Sequence, residues 1–228
     1  MWLGIIINPI HITVYRLKKA LEATIRPLAI ASVNCLDVGC GDRPYEYLFG
    51  QGKYIGIDVG VSGRSMELKK PELFYDGKNI PYSDNQFDLV LCTQVLEHVS
   101  DPFSLIKEMV RVCKQGGGGG IFSLPFVYQE HEQPFDYFRF TSFGITELIE
   151  NAGMNVVSMR KDSTSIETLT ILLNVYIVKN LIPGNRLTGY IFTLLLCFPI
   201  QLISLVLSSV LPDNGELYLN LVIHAKKK

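Results

Sequence analysis

The sequence predicts an α/β fold built on a mostly parallel sheet. From about residue 33 the apolar runs are short and regularly punctuated: VNCLDVG, KYIGIDV, ELFYD, FDLVLCT and GGIFSLP each end in glycine, acid, proline or a small polar residue, the pattern of buried strands. A helical repeat, PFSLIKEMVRVCKQ, stands between the last two runs. Strands alternating with helices give parallel pairing through right-handed crossovers. A chain of 228 residues is long enough for one such domain with an appendage, and its net charge of −1 gives no overall attraction for nucleic acid.

The elements follow in order. The opening MWLGIIINPI is too short and lacks the basic stretch of a cleaved secretory signal. With VYRLKKALEATIRPL after it, it enters an amphipathic helix that covers the domain or touches lipid. The first 28 residues carry Arg16, Lys18, Lys19 and Arg26 against Glu22, which suits an anionic membrane and a solvated helix face equally. Ser100-Asp101-Pro102 opens the helix from 102. The run GGGGG at 116–120 follows a helix and precedes a strand, the reverse of a phosphate cradle, and is expected to be a helix stop and tight turn. TSFGITELIENAGM is a second helix, capped by Thr141 or Ser142 and stopped by Gly153. MNVVSMRK and ELYLNLVIHAKKK supply two more strands.

The chemistry begins at LDVGCGDRPY, residues 36–45. Strand, glycine turn and an expected helix are in the order of a nucleotide site, and Gly39 and Gly41 allow close backbone approach at the sheet's C-terminal edge. The next strand ends in Asp58, placed to accept from two ribose hydroxyls. Together these residues point to a nucleoside-bearing cofactor.

From about residue 33 to 160 the chain resembles the class I methyltransferases that use S-adenosylmethionine, through LDVGCG, GIDV, FYDGKNIPYSDNQFDLVLCTQVLEHV and KQGGGGGIFSLP in order. The resemblance implies a Rossmann-like, doubly wound, seven-stranded sheet whose last strand is antiparallel, with helices on both faces. It also implies that Asp37, Gly39, Cys40 and Gly41 form the loop beside the methionine part of the cofactor. Asp58 would hold the ribose, Asp76 and Gly77 would meet the adenine edge, and Thr93 and Gln94 would line the methyl-donor pocket. Arg43, followed by Pro44, departs from the usual third glycine, so the helix after the loop is expected to start later or differently.

A subgroup with DxGCGxxPY also carries EHxxPxDYxRYT, which reads EHEQPFDYFRFT here at 130–141, with Phe140 for tyrosine. Its association with bacterial surface-polysaccharide genes favours a glycan or lipid-linked saccharide acceptor, with a quinone or other small lipid as the alternative. His131 is the candidate base for a hydroxyl acceptor, and Asp136, Tyr137 and Arg139 are expected to shape the acceptor pocket or brace one another. His98 is expected in the first turn of a helix, supporting the cofactor. No metal-ligand cluster is apparent in the sequence. A non-catalytic membrane adaptor is the reading from another class, and the intact GxG, Asp58 and Asp76 speak against it.

Residues 166–212 carry only Glu167, Lys179 and Arg186 as charges. Two apolar segments, IETLTILLNVYIVKNLIP and GYIFTLLLCFPIQLISLVLSSVLP, are separated by Pro183-Gly184-Asn185. If LYLNLVIHAKK rejoins the sheet, a single membrane crossing is excluded, and the segments form an apolar helical hairpin inserted before the last strand. The domains are therefore an N-terminal amphipathic region at 1–32, a methyltransferase domain at 33–162 plus 213–228, and the hairpin at 163–212. Asn174, Lys179 and Pro199 favour interfacial insertion over a double span, with a buried lobe or a homodimer contact as the other uses of this surface. Five cysteines without a CxxC pair suit a reduced compartment, so a cytoplasmic location, peripheral on the inner face of the membrane, is expected.

Overall fold

A computed structural model describes residues 8–28, 33–50, 52–182 and 185–228. The first seven residues and the Pro183-Gly184 part of the expected hairpin turn lie outside them. The chain divides into two compact units: Leu21–Phe126 with Glu130–Arg160 and Leu221–Lys228, and Met1–Ala20 with Val127–Gln129 and Lys161–Asn220. They are described separately.

The larger unit is organised by a seven-stranded sheet: β1 (Cys35–Val38), β2 (Tyr54–Val59), β3 (Leu73–Tyr75), β4 (Leu89–Thr93), β5 (Gly119–Pro125), β6 (Met154–Lys161) and β7 (Asn220–Lys227). Their order is β3-β2-β1-β4-β5-β7-β6. The first five pair in parallel, with Leu36 opposite both Ile55 and Val90. β7 is antiparallel: Lys227 N donates to Gly118 O before β5, and Lys228 N to Gly153 O before β6. The expected Rossmann-like order, with the last strand inserted between the fifth and sixth, is therefore present.

Central strands are mostly apolar because both faces are covered. Leu36, Ile57, Val90, Leu91, Ile121 and Phe122 are fully buried. β3 departs from the expected buried strand, since Leu73 and Phe74 are exposed at the sheet edge. Helix α2 (Pro102–Val112) is capped by Asp101, whose side chain accepts from Ser104 N, and α3 (Ser142–Asn151) by Thr141, which accepts from Gly144 N. Each cap satisfies a donor the helix cannot.

Two local expectations need correction. No α-helix follows β1 directly; a single 3₁₀ turn, Glu46–Leu48, stands there instead. Arg43 takes a φ of 63°, outside the right-handed helical region, so the chain does not run from the loop through this residue into a regular helix. His98 belongs to a separate 3₁₀ turn, Leu96–His98, because Asp101 and Pro102 restart the helix after it.

The smaller unit contains an antiparallel helical hairpin. Its first arm is α4 (Ser165–Asn180), opened by a capping box in which Thr164 and Glu167 satisfy each other's backbone N–H. The second arm is α5 (Arg186–Phe192), a π-helical turn at Thr193–Cys197 and α6 (Phe198–Val210). Its Thr188–Val210 stretch, 23 residues, is long and apolar enough to cross a membrane. Ser165 N donates to Asp213 Oδ1 (3.0 Å) and Thr170 Oγ1 to Ser204 Oγ (2.7 Å), which fixes the pairing of the arms.

This hairpin buries a cluster of polar side chains beside Ile171, Ile177 and Cys197 and exposes many of its apolar ones. Glu167, Thr168, Asn174 and Ser204 are fully buried and Gln201 nearly so, whereas Ile203 is 55% exposed, Val206 57% and Val210 70%. Partners for the buried polar groups come from the start of α1 (His11–Ile25) and the residues before it. Arg16 pairs with Glu167, Asn174 Nδ2 donates to Pro9 O (3.0 Å), and Gln201 Nε2 to Asn8 O (3.1 Å). Ile12, Ile171 and Leu219 form the small apolar contact of this unit.

Candidate functional site

A cavity of about 800 Å³ opens at the C-terminal ends of β1, β2 and β4 in the larger unit. Its wall begins with the loop after β1. Gly39 has a φ of +77° and no room for a side chain, because an added Cβ would lie 2.3 Å from Val95 Cγ2. Gly39 N and Cys40 N both donate to Ile57 O, and Gly41 N donates to Asp58 Oδ2 (2.9 Å), so the loop is tied to the end of β2.

Asp58 is buried and tightly held: its Oδ1 accepts from Lys69 Nζ (2.9 Å) and Val59 N (2.7 Å). A carboxylate held by three donors is pre-ordered and keeps about one acceptor site, on Oδ2, for a ligand hydroxyl. Asp76 is exposed and caps its own turn, accepting from Lys78 N, Asn79 N and Asn79 Nδ2. These donors hold its carboxyl below the usual range. Thr93 and Gln94 end β4. Gln94 adopts a φ of 55° and is anchored by Gln94 N donating to Ser123 O (2.8 Å), a strained conformation of the kind found at ligand sites.

A second group of side chains lines the cavity through His98 and His131. Tyr137 N and Phe138 N donate to Glu97 O (2.8 and 3.2 Å), which pins the loop after β5 onto the Leu96–His98 turn. The His98 and His131 rings meet edge to face at 4.7 Å. Asp136 accepts from His131 N (2.9 Å) and lies 3.3 Å from His131 Nδ1, while both of its oxygens accept from Arg139 (2.6 and 2.7 Å). The Arg139 guanidinium, with these bonds, holds the Asp136 carboxyl down at about 2. Burial lowers the pKa of His98 and pushes Glu97 up to about 8.

Among the residues singled out from the sequence, Gly39, Gly41, Asp58, Asp76, Gly77, Thr93, Gln94, His131 and Tyr137 line this one cavity. Asp136 and Arg139 do not line it; they hold His131 from outside. Asp37 and Cys40 are buried away from it. Asp37 accepts from Tyr54 Oη, and burial pushes its carboxyl up to about 7. The sequence reading missed Arg64 and Lys69, which line the cavity from a loop without a motif. It also missed the approach of that loop to the one after β5, where a Cβ on Gly63 would lie 2.2 Å from Glu132 O. Nor did it find the grouping of Glu97, His98 and His131, whose ligand atoms lie within 4.8 Å of one another. Residues 98 and 131 are too far apart in the chain for a spacing motif.

Comparison with known proteins agrees with this geometry. Residues 36–118 match the model of a methyltransferase domain family. The chain is 33% identical over 123 residues to a ubiquinone biosynthesis O-methyltransferase of Thiobacillus denitrificans, covering 48% of this chain and 51% of that one. It is 34% identical over 96 residues to a demethylmenaquinone methyltransferase of Bacillus cereus, covering 36% and 40%. The chain thus spans about half, or less, of the length of these curated relatives. An S-adenosylmethionine-dependent methyltransferase from Mesorhizobium loti shares the fold with a TM-score of 0.52 at 13% identity, covering 90% of this chain and 96% of that one. Residues 36–118 are thus similar to a methyltransferase domain family and sit in a chain with the methyltransferase fold, a likeness that implies S-adenosylmethionine as the cofactor. The residues present fit that molecule: two positive-φ glycines, a pre-tied carboxylate at the end of β2 and an open Asp76 turn border one cavity.

Proposed function

We propose that the chain transfers a methyl group from S-adenosylmethionine to an oxygen of a membrane-borne small lipid, a phenol of the quinone-precursor type. The convergence of the cofactor residues and His131 on one cavity carries this reading. The names of the relatives favour the quinone class over a glycan.

When bound, the cofactor supplies a methyl carbon activated by a positive sulfur. The chain's own residues do the rest. Asp58 and the Asp76 turn orient the nucleoside, and Thr93 and Gln94 border the donor end. His131, held by Asp136, receives the acceptor hydroxyl's proton at an imidazole nitrogen, so the oxygen's lone pair is available for in-line attack. A lipid-linked saccharide is the second reading, favoured by EHEQPFDYFRFT.

The hairpin suits a lipid-soluble acceptor. Helices that turn polar groups inward, with Thr170 bonded to Ser204 and Asn174 Nδ2 to Pro9 O, and large apolar side chains outward suit hydrocarbon. The first arm has 16 residues, about 24 Å at 1.5 Å per residue, short of the roughly 30 Å hydrocarbon core. We therefore assign the hairpin to insertion in one leaflet, not to a double span.

Calorimetric titration of the full chain with S-adenosylmethionine tests the cofactor half. Micromolar affinity is expected, weakened at least tenfold in Asp58→Ala; no binding by the intact chain overturns it.

A further inference from the structure

The geometry points to a divalent-cation site formed by Glu97, His98 and His131 at the wall of the cavity. Glu97 is fully buried and neither of its carboxylate oxygens has a hydrogen-bond partner. A buried carboxyl group with no hydrogen-bond partner is costly and rare; it keeps its proton unless a cation takes the proton's place. The neighbouring groups identify that partner.

His98 Nδ1 lies 2.9 Å from Phe135 O. A carbonyl only accepts, so in the neutral ring the proton sits on Nδ1 and the lone pair on Nε2. That Nε2 is 3.9 Å from Glu97 Oε1. Two electron-pair donors thus face each other, an arrangement that a cation between them satisfies. His131 completes the set, and its Nδ1 is flanked by Asp136 Oδ2 at 3.3 Å and Arg139 Nη2 at 3.4 Å. A carboxylate behind an imidazole is the usual outer support of a metal-bound histidine.

Two imidazoles and one carboxylate suit a borderline cation such as Zn²⁺, Mn²⁺ or Fe²⁺ better than Ca²⁺ or Mg²⁺. Three protein ligands leave a coordination position open, as catalytic sites do. His98 and His131 both line the cavity with Thr93 and Gln94, so the open position is available to an acceptor oxygen. A hydroxyl bound there is a stronger acid and releases its proton to water. With the cation bound, His131 serves as a ligand and the cation makes the oxygen nucleophilic; His131 takes the proton itself only when the cation site is empty. The site stands on geometry alone; only this use of it rests on the methyl-transfer reading.

The test is titration of the untagged, chelator-treated full chain with Co²⁺, read by its visible absorption, and with Zn²⁺, read by calorimetry. A single cation per chain at micromolar affinity is expected, with a Co²⁺ spectrum of low-symmetry four- or five-coordination. Glu97→Gln and His131→Ala should each weaken binding a hundredfold or more, and Asp136→Asn about tenfold. S-adenosylmethionine affinity, measured on the same samples, reports folding and the cofactor site independently. Cofactor binding with no cation binding overturns the cation site and leaves the methyltransferase reading standing. Cation affinity unchanged in folded Glu97→Gln and His131→Ala overturns it too.

Discussion

The sheet buries mostly apolar residues, whereas the hairpin buries a cluster of polar ones and leaves many apolar ones outside. In the sheet Leu36, Ile57, Leu91 and Phe122 are inside; in the hairpin Glu167, Asn174, Gln201 and Ser204 are inside, while Leu173, Ile203, Val206 and Val210 are exposed. Both regions are rich in apolar residues, so composition alone does not separate them. The difference lies in which face each apolar side chain occupies, and it teaches that similar composition can build either a covered core or an outward apolar surface. We propose that the hairpin's outward face meets lipid.

The sharpest contrast is a pair of truncations followed by thermal and denaturant unfolding. Phe122→Ala should cost about 3–5 kcal/mol through the cavity it leaves. Ile203→Ala should stay within roughly 0.5 kcal/mol in aqueous buffer. Comparable losses at the two sites would break the comparison.

Asp37 is one of the sheet's buried polar residues, a fully buried carboxyl with Oδ1 unpartnered. Its folded-state pKa is raised to about 7, above the unfolded value near 3.9. Its contribution to stability is therefore fully present below about pH 3.9 and is lost as pH rises through about 7, by up to roughly 4 kcal/mol. Melting temperatures from pH 4 to 7.5 should fall in the wild type relative to Asp37→Asn. Parallel profiles would show that Asp37 does not titrate in this window.

Inside the hairpin, Asn174→Ala removes the partner of Pro9 O and should cost about 1–3 kcal/mol, whereas Leu173→Ala, its exposed neighbour, should cost little. Equal effects of the two substitutions would contradict a polar interior. The outer face gives the smallest change in folding and a distinct change in partitioning. Ile203→Lys combined with Val206→Lys should leave the melting temperature nearly unaltered and reduce flotation with anionic phospholipid vesicles at least tenfold, since charges are disfavoured in hydrocarbon. Unchanged flotation would assign the face to protein contact.

Much of the fold was legible because parallel strands buried on both faces leave continuous apolar runs, as in CLDV and LVLCT, and because caps such as Asp101 and Thr141 are local signals. The residues that line the cavity at the ends of β1, β2 and β4 were legible because they lie at strand ends in a fixed chain order. The conformation of Arg43 was not, since it depends on context: ion pairs to Glu46 (2.8 Å) and Glu72 (2.6 Å) hold its side chain while the backbone stays left-handed. Lys69 and the Glu97–His98–His131 group were illegible for a related reason. Their partners come from distant loops, and no periodicity records such a meeting. Hairpin apolarity was plain in the sequence, but its reversed burial pattern emerges only when the arms pair through Thr170 and Ser204.

The most direct measurement follows the methyl group itself. The full chain is incubated with methyl-labelled S-adenosylmethionine and membranes extracted from the source cells, and the products are separated into lipid and saccharide pools. The account predicts label in a small organic-soluble product, abolished in Asp58→Ala. Label confined to the saccharide pool would contradict the lipid acceptor in favour of the second reading, and no transfer by chain that binds the cofactor would contradict the methyltransferase assignment to these membranes.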